Sequence, residues 1–248
     1  MKSSSDAAIL FSGGSDSTLA AAFFAERFEH VHLITLDRFS FIGARKYTLP
    51  NYERLCRTYG SGKFKKVILP VEKLHKAISY HNYLGTIRRH GRATAGLFFS
   101  KLAMHARVAA YCLERGIANV GDGMVPYMSV YPDQNRMIAI EPVRKFYAAF
   151  GITYENPVWT VAMQAEQLLY DKGITNQARV RGGEDDKQVF YAEQVLFALF
   201  AKYMTTKYGN DGYERLLNPL YEERLLWLSD LIREWKNNPR DSKLAKLL

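Results

Sequence analysis

The sequence has little cysteine and no long apolar run. Only Cys56 and Cys112 occur among 248 residues, too few for a disulfide framework or a four-thiolate zinc site. No stretch approaches the roughly 20 apolar residues that a membrane-spanning helix needs. Residues 1–6 lead directly into an apolar stretch without the pattern of a signal peptide. We therefore expect a cytoplasmic protein that has no membrane partner.

Internal repeats and low-complexity segments are also absent, and the composition is that of an ordinary globular protein. Apolar residues make up 48% of the chain and charged residues 24%. A chain of 248 residues can bury one large core, or one core with an appended lobe. Lysine and arginine outnumber the acids by 34 to 25, and the net charge of +9 predicts affinity for polyanions such as nucleotides or RNA.

The most informative stretch lies close to the amino terminus. An apolar run, residues 7–11, is followed by Ser12-Gly13-Gly14-Ser15-Asp16-Ser17 and then by residues with strong helix character. This pattern predicts a buried strand, a tight turn and a helix start. Two glycines let the backbone approach a ligand, and the first amides of the helix point outward, an arrangement that binds phosphate.

The polar residues of this turn strengthen the phosphate interpretation. Ser12, Ser15 and Ser17 add hydroxyl donors, and Asp16 is a carboxylate placed where a phosphate-bound magnesium ion would lie. The alternative is a strand, a turn and a capping serine without any ligand. Three hydroxyls and an acid around the glycines favour the phosphate site.

Apolar strands alternate with helical segments over the first part of the chain, which predicts an α/β fold, a doubly wound parallel sheet of the Rossmann type. Strands are expected at 7–11, 31–37, 65–71 and 117–121, and the main helices at 18–27, 47–59 and 95–114. Residues 75–92 are interpreted as a solvated or anion-facing loop. Later helical segments, 158–172, 188–207 and 212–236, predict a helical C-terminal lobe or dimer surface. We expect domains at 1–155 and 156–248, and a homodimer.

Further candidate residues lie where strands end or helices begin, because ligands bind at the carboxyl edge of such a sheet. Leu36 and Asp37 end the second strand, Asp122 ends the fourth, and Arg92 precedes a long helix. Asp122 would present a second acid to a metal and pyrophosphate, together with Asp16. Lys187 closes a charged segment, 176–187, that is either a phosphate-closing loop or a solvated linker. For Asp122, the alternative is a turn aspartate before glycine.

Neither cysteine is well placed for chemistry. Cys112 is expected about 24 Å along a helix that begins at the active edge, which favours a core position. Cys56 falls in the second half of its helix and is also expected to be buried.

The string 12–17 resembles the S-G-G-x-D-S signature of the PP-loop ATP pyrophosphatases, and it lacks the lysine of a Walker-type loop. The resemblance implies that the loop grips the pyrophosphate of ATP and that AMP is transferred to an oxygen of the substrate. It also implies that Leu36 and Asp37 contact the adenosine.

A narrower resemblance covers Gly91-Arg92, the helix that follows, Val120-Gly121-Asp122 and Tyr131-Pro132-Asp133, which are similar to the cyano-deazaguanine synthases. The chain departs from that pattern at Gln134, where the family has a cysteine, and it lacks the later zinc-binding cysteines. We therefore do not expect that enzyme itself. The likeness implies that Tyr131, Asp133 and Arg136 line a pocket for a flat heterocycle. An ordinary Tyr-Pro-Asp turn is the alternative.

Together these features predict an enzyme that uses ATP and Mg²⁺ to adenylate a carbonyl or carboxylate oxygen of a small, purine-like substrate. A nitrogen or sulfur nucleophile then replaces AMP. Asp16 and Asp122 are predicted to hold the metal, and Arg92 and Lys187 to add positive charge in the transition state. Two alternatives stay open: a tRNA-modifying enzyme of the thiolation type, less favoured as a partner choice because the basic residues are dispersed, and a nucleotide-binding module without turnover.

Overall fold

The computed structural model describes residues 5–37, 44–90, 99–128, 136–176 and 192–248. Its centre is a five-stranded parallel sheet with the strand order β3-β2-β1-β4-β5. The strands are β1 Asp6–Leu10, β2 His30–Asp37, β3 Phe64–Pro70, β4 Asn119–Asp122 and β5 Thr153–Glu155. In register, Leu10 of β1 lies between Ile34 of β2 and Asp122 of β4. The carboxyl ends of these three strands therefore meet at one edge.

The helices begin with α1, which follows β1 directly, and end with a short helix at the carboxyl terminus. They are α1 Ser15–Ala25, α2 Ala44–Tyr59, α3 Glu72–Tyr80, α4 Tyr83–His90, α5 Ser100–Arg115, α6 Glu141–Ala148, α7 Ala165–Asp171, α8 Ala192–Asn237 and α9 Lys243–Leu247. A π-helix, Arg136–Ile140, precedes α6. No helix among the described residues is long and apolar enough to span a bilayer.

The first strand and helix form the core around the amino-terminal turn. Ala7, Ala8 and Ile9 of β1 are fully buried, as expected for a strand with neighbours on both sides and helices on its faces. Residues 19–22 and Phe24 of α1 are also fully buried. Gly121 of β4 is required by this packing, because a Cβ there would lie 2.7 Å from the Phe24 ring and 2.8 Å from Ile9 Cδ1.

The predicted fold class is confirmed: the protein is α/β, with a doubly wound parallel sheet and a helical C-terminal part. Three details differ from the sequence prediction. The segment interpreted as a loop, 75–92, contains helices α3 and α4 over its described part. The two helices expected at 188–207 and 212–236 form one helix, α8. The fifth strand, β5, was not predicted.

The chain divides into two compact units, each made of three segments. The first comprises Met1–Leu69, Cys112–Pro126 and Gly151–Phe190, and it carries the sheet. The second comprises Pro70–Tyr111, Tyr127–Phe150 and Tyr191–Leu248. The domains expected from the sequence, 1–155 and 156–248, each contribute to both units, and that boundary remains a prediction.

Candidate functional site

The turn between β1 and α1 has the backbone conformation that its glycines allow. Gly13 has φ of +83°, in the left-handed region that residues with a Cβ rarely adopt. Gly14 is extended and forms the N-cap of α1, which begins at Ser15. The first amides of α1 therefore follow directly after the turn, without partners inside their own helix. They make the carboxyl edge of β1 electropositive.

The carbonyl groups of this turn are tied back to the surrounding fold. Thr35 Oγ1 on β2 donates to the Phe11 oxygen at 3.0 Å, and Asn51 Nδ2 on α2 donates to the Gly13 oxygen at 2.6 Å. The Gly14 oxygen accepts from Thr18 Oγ1 at 2.8 Å and from the Thr18 amide at 3.0 Å. These bonds occupy the carbonyls of Phe11, Gly13 and Gly14, and the N–H groups at the start of α1 are the donors that can meet an anion.

Two of the serine hydroxyls are held inside the turn. Ser12 Oγ lies 3.1 Å from Ser17 Oγ and accepts from the Gly14 amide at 3.4 Å. Ser17 Oγ donates to the Gly14 oxygen at 3.0 Å. Ser17 is buried and Ser12 is exposed, so only Ser12 presents its side chain to solvent at this point. Ser15 and Asp16 occupy the first turn of α1 and are half-buried.

The structure brings the two predicted acids to the same edge of the sheet. Asp122 ends β4 beside Leu10 of β1, and Gly123 follows it against the first turn of α1. A Cβ on Gly123 would lie 2.5 Å from the Ser17 nitrogen and 2.7 Å from the Asp16 carbonyl carbon. Only glycine allows the two backbones to approach this closely.

The Asp122 carboxylate is buried and accepts several hydrogen bonds. Its Oδ1 accepts from the Met124 amide at 2.9 Å and from Asn156 Nδ2 at 2.6 Å, and its Oδ2 accepts from the Tyr154 hydroxyl at 2.7 Å. Three donors thus occupy a group that has about four acceptor positions. These donors leave Asp122 few acceptor positions for a metal ion, and its role as a metal ligand remains a prediction. Asp16 fits better, because Mg²⁺ is commonly held by one or two carboxylates and the phosphates of a substrate.

No group of three or more His, Cys, Asp or Glu side chains in the described ranges could hold a metal ion by itself. A magnesium ion at Asp16 would therefore need oxygen ligands from phosphate and water.

Leu36 and Asp37 lie at the carboxyl end of β2, two and three positions beyond Ile34, which pairs with Leu10. Leu36 is buried and Asp37 is half-buried. Their place beside the glycine turn is compatible with contact to a nucleotide bound there.

The remaining predicted site residues do not lie among the described residues of the sheet edge. Arg92, Tyr131, Asp133 and Lys187 lie outside the described residues. Arg136 belongs to the second unit, where its Nε donates to Glu141 Oε1 at 3.3 Å. Burial raises the pKa of Glu141, but the guanidinium groups of Arg144 and Arg136 outweigh this and leave the pKa lowered. Arg136 is therefore held in an ion pair, and its role in a heterocycle pocket remains a prediction.

Of the two cysteines, Cys112 is buried as predicted and Cys56 is not. Cys112 is fully buried, and burial raises its pKa, so its thiol stays protonated and unreactive near neutral pH. It lies about 18 Å along α5 from the start of that helix at Ser100. Cys56, expected to be buried, is partly accessible on α2.

Four residues that support the turn were not found by the sequence analysis. Thr35 and Asn51 hold its carbonyls, and Tyr154 and Asn156 hold Asp122. Local sequence patterns carry no signal for them, because each contacts a residue more than twenty positions away along the chain.

Comparisons with known proteins support the fold. No protein-family model matches the chain, and neither does any curated protein. The crystal structure of a 4-thiouridine synthetase–RNA complex with bound ATP is similar at a TM-score of 0.51 and 14% identity, covering 90% of this chain and 53% of that chain. The chain thus spans about half the length of this neighbour. A predicted subunit of tRNA methyltransferase from Methanocaldococcus jannaschii gives a TM-score of 0.37 and 15% identity over 75% of this chain and 97% of that chain.

Proposed function

We propose that the protein is an ATP pyrophosphatase of the PP-loop type, an enzyme that transfers AMP from ATP to an oxygen of its acceptor. The observation that carries this proposal is the turn of residues 12–17, in which the Gly13 and Gly14 carbonyls accept hydrogen bonds while the first amides of α1 follow at the sheet edge. In the order β3-β2-β1-β4-β5, strands β2 and β3 are added on one side of β1, and β4 and β5 on the other. Doubly wound sheets bind ligands at such a point, between β1 and β4. A solved structure of similar fold, that of a 4-thiouridine synthetase, is an ATP complex.

In the proposed reaction, an acceptor oxygen attacks the α-phosphorus of ATP. A new oxygen–phosphorus bond forms, and the bond from that phosphorus to pyrophosphate breaks. Negative charge grows on the departing pyrophosphate, and preorganised N–H donors at the start of α1 stabilise it. Leu36 and Asp37 contact the adenosine, and Arg92 and Lys187 add positive charge. A bound Mg²⁺ held by Asp16 would neutralise part of the phosphate charge.

The second step replaces AMP on the acceptor with a nitrogen or sulfur nucleophile, giving amidation or thiolation. Because Cys112 is buried and protonated, a persulfide on that residue is disfavoured as the sulfur source. Tyr131, Asp133 and Arg136 are proposed to bind a small, purine-like acceptor. A homodimer and a cytoplasmic location complete the proposal.

The decisive experiment compares ATP–pyrophosphate exchange in the wild type and in Asp16→Ala. We expect the variant to keep its far-UV circular dichroism and to lose exchange by about 100-fold or more, since the site loses its metal-binding carboxylate. Glu155→Gln is the matched control, because Glu155 belongs to the same unit but pairs with Arg27 at 2.7 Å on an exposed surface. Unchanged exchange in Asp16→Ala would remove the turn from the mechanism.

A second candidate is the same ATP chemistry with tRNA as the acceptor. Two observations favour it: the net charge of +9, and the RNA bound in the solved neighbour of this fold. This candidate predicts tRNA-stimulated pyrophosphate release and tRNA binding that weakens steeply as salt increases. Salt-independent binding without stimulation would contradict it.

A third candidate, a nucleotide-binding module, predicts tight ATP binding and no pyrophosphate release. A panel of purine-like bases, carboxylates and bulk tRNA, each with ammonia or sulfide, separates the three candidates.

A further inference from the structure

Two side chains at the end of β5 converge on one carboxylate. Tyr154 lies in the strand and Asn156 directly follows it, and each donates to Asp122, at 2.7 Å and 2.6 Å. Asn156 Nδ2 also lies 3.1 Å from the Tyr154 hydroxyl oxygen. Because a carboxylate only accepts, the amide nitrogen of Asn156 must face Asp122 and its oxygen must point away.

The orientation of Asn156 is costly for the folded protein. Its Oδ1 is buried and has no hydrogen-bond partner in the part of the chain that the structure describes. An unsatisfied buried acceptor lowers stability, so the contacts of this amide with Asp122 are not explained by stability alone.

From Asp122, the contacts continue to the first turn of α1. Oδ1 accepts the Met124 amide at 2.9 Å and so closes the backbone over Gly123. Gly123 in turn lies directly against the backbone of Asp16 and Ser17. The carboxylate thus fixes a corner of backbone, and that corner fixes the position of the amides proposed to bind phosphate.

We infer that Asp122 is a positioning residue for the phosphate-binding turn, held by Tyr154 and Asn156, and that it does not ligate magnesium. The inference rests on the proposed function, because the ligand of the turn is the pyrophosphate of ATP. Asp122 then acts by holding the backbone of the site in place.

Two substitutions at Asp122 separate positioning from metal ligation. In Asp122→Asn, the amide oxygen introduced at position 122 can still accept from the Met124 amide and from Asn156 Nδ2, while the carboxylate charge is lost. In Asp122→Ala, both oxygens are lost, and with them the hydrogen bonds from Met124, Asn156 and Tyr154.

Calorimetry with ATP and Mg²⁺ should give about tenfold weaker binding for Asp122→Ala. Asp122→Asn should stay within about threefold of the wild type, since the oxygen that accepts from Met124 and Asn156 is kept. If Asp122 ligated magnesium, Asp122→Asn would bind ATP with Mg²⁺ as weakly as Asp122→Ala, because the carboxylate charge is lost in both. That result, or wild-type affinity in Asp122→Ala, overturns the inference.

Two further variants keep the test decisive if Asp122→Ala does not fold. Tyr154→Phe removes one donor to Asp122 and should weaken ATP binding in a protein whose urea unfolding remains cooperative. Glu155→Gln, on the same strand but paired with Arg27, should bind ATP as the wild type does. Wild-type affinity in Tyr154→Phe would overturn the inference but leave the proposed function in place. A wild-type protein that binds neither ATP nor pyrophosphate would overturn the proposed function, and the inference with it.

Discussion

At the scale of single residues, Asn51 shows how the strained turn is kept in place. Gly13, at φ of +83°, presents its carbonyl to the interior, where the oxygen needs a donor. Asn51 Nδ2 supplies that donor at 2.6 Å, and its own Oδ1 accepts from Arg54 at 3.0 Å. The side chain is buried, so water cannot easily replace it.

We expect Asn51→Ala to lower the free energy of unfolding by about 1–3 kcal/mol, the cost of leaving a buried carbonyl without its donor. ATP affinity should fall as well, because the turn loses an anchor. Urea unfolding and calorimetry measure the two effects. Arg54→Ala is the control, since it removes the partner of Asn51 without removing the donor to Gly13. Wild-type stability in Asn51→Ala would contradict this account.

At the scale of secondary-structure elements, the features that could be predicted are those that a local sequence pattern determines. The glycine turn, β1 and α1 follow one another within about twenty residues, and their order alone indicated the phosphate site. The contacts of Asn51 with the turn and of Asn156 with Asp122 could not be predicted, because they join residues far apart in sequence. No periodicity reports such a contact.

The elements that were missed have specific physical causes. The strand β5 has three residues, too few for an alternating pattern to show. In α8, residues 208–211 separated the two predicted helices and include Gly209, but a glycine costs a helix only about 1 kcal/mol. Packing of the helix offsets that cost: Arg224 is fully buried, donates to Thr86 Oγ1 at 2.7 Å and lies 5.0 Å from the centre of the Phe99 ring.

At the scale of the whole molecule, each unit contains a histidine whose pKa is lowered. In the first unit, burial lowers the pKa of His32, Lys65 and Arg115 add to the effect, and Asp6 opposes it. In the second unit, burial lowers the pKa of His81, Arg224 and Lys243 add to the effect, and Glu223 opposes it. The His81 ring stacks on Trp227, with centroids 4.3 Å apart.

These shifts predict that both units lose stability on mild acidification. The unfolded chain binds a proton at each histidine near the ordinary pKa of 6.5, before the folded protein does. The stabilisation is therefore present above about pH 6.5 and declines as the pH falls below it. We expect the free energy of unfolding by urea to decrease between about pH 7.5 and about pH 5.5.

His32→Gln and His81→Gln should each make that decrease smaller, because each removes one proton-binding site. The matched control is His30→Gln, because the His30 ring is half exposed. This variant should keep most of the pH-dependent decrease in unfolding free energy. Equal unfolding free energies at the two pH values would show that neither the His32 ring nor the His81 ring is kept neutral by its surroundings.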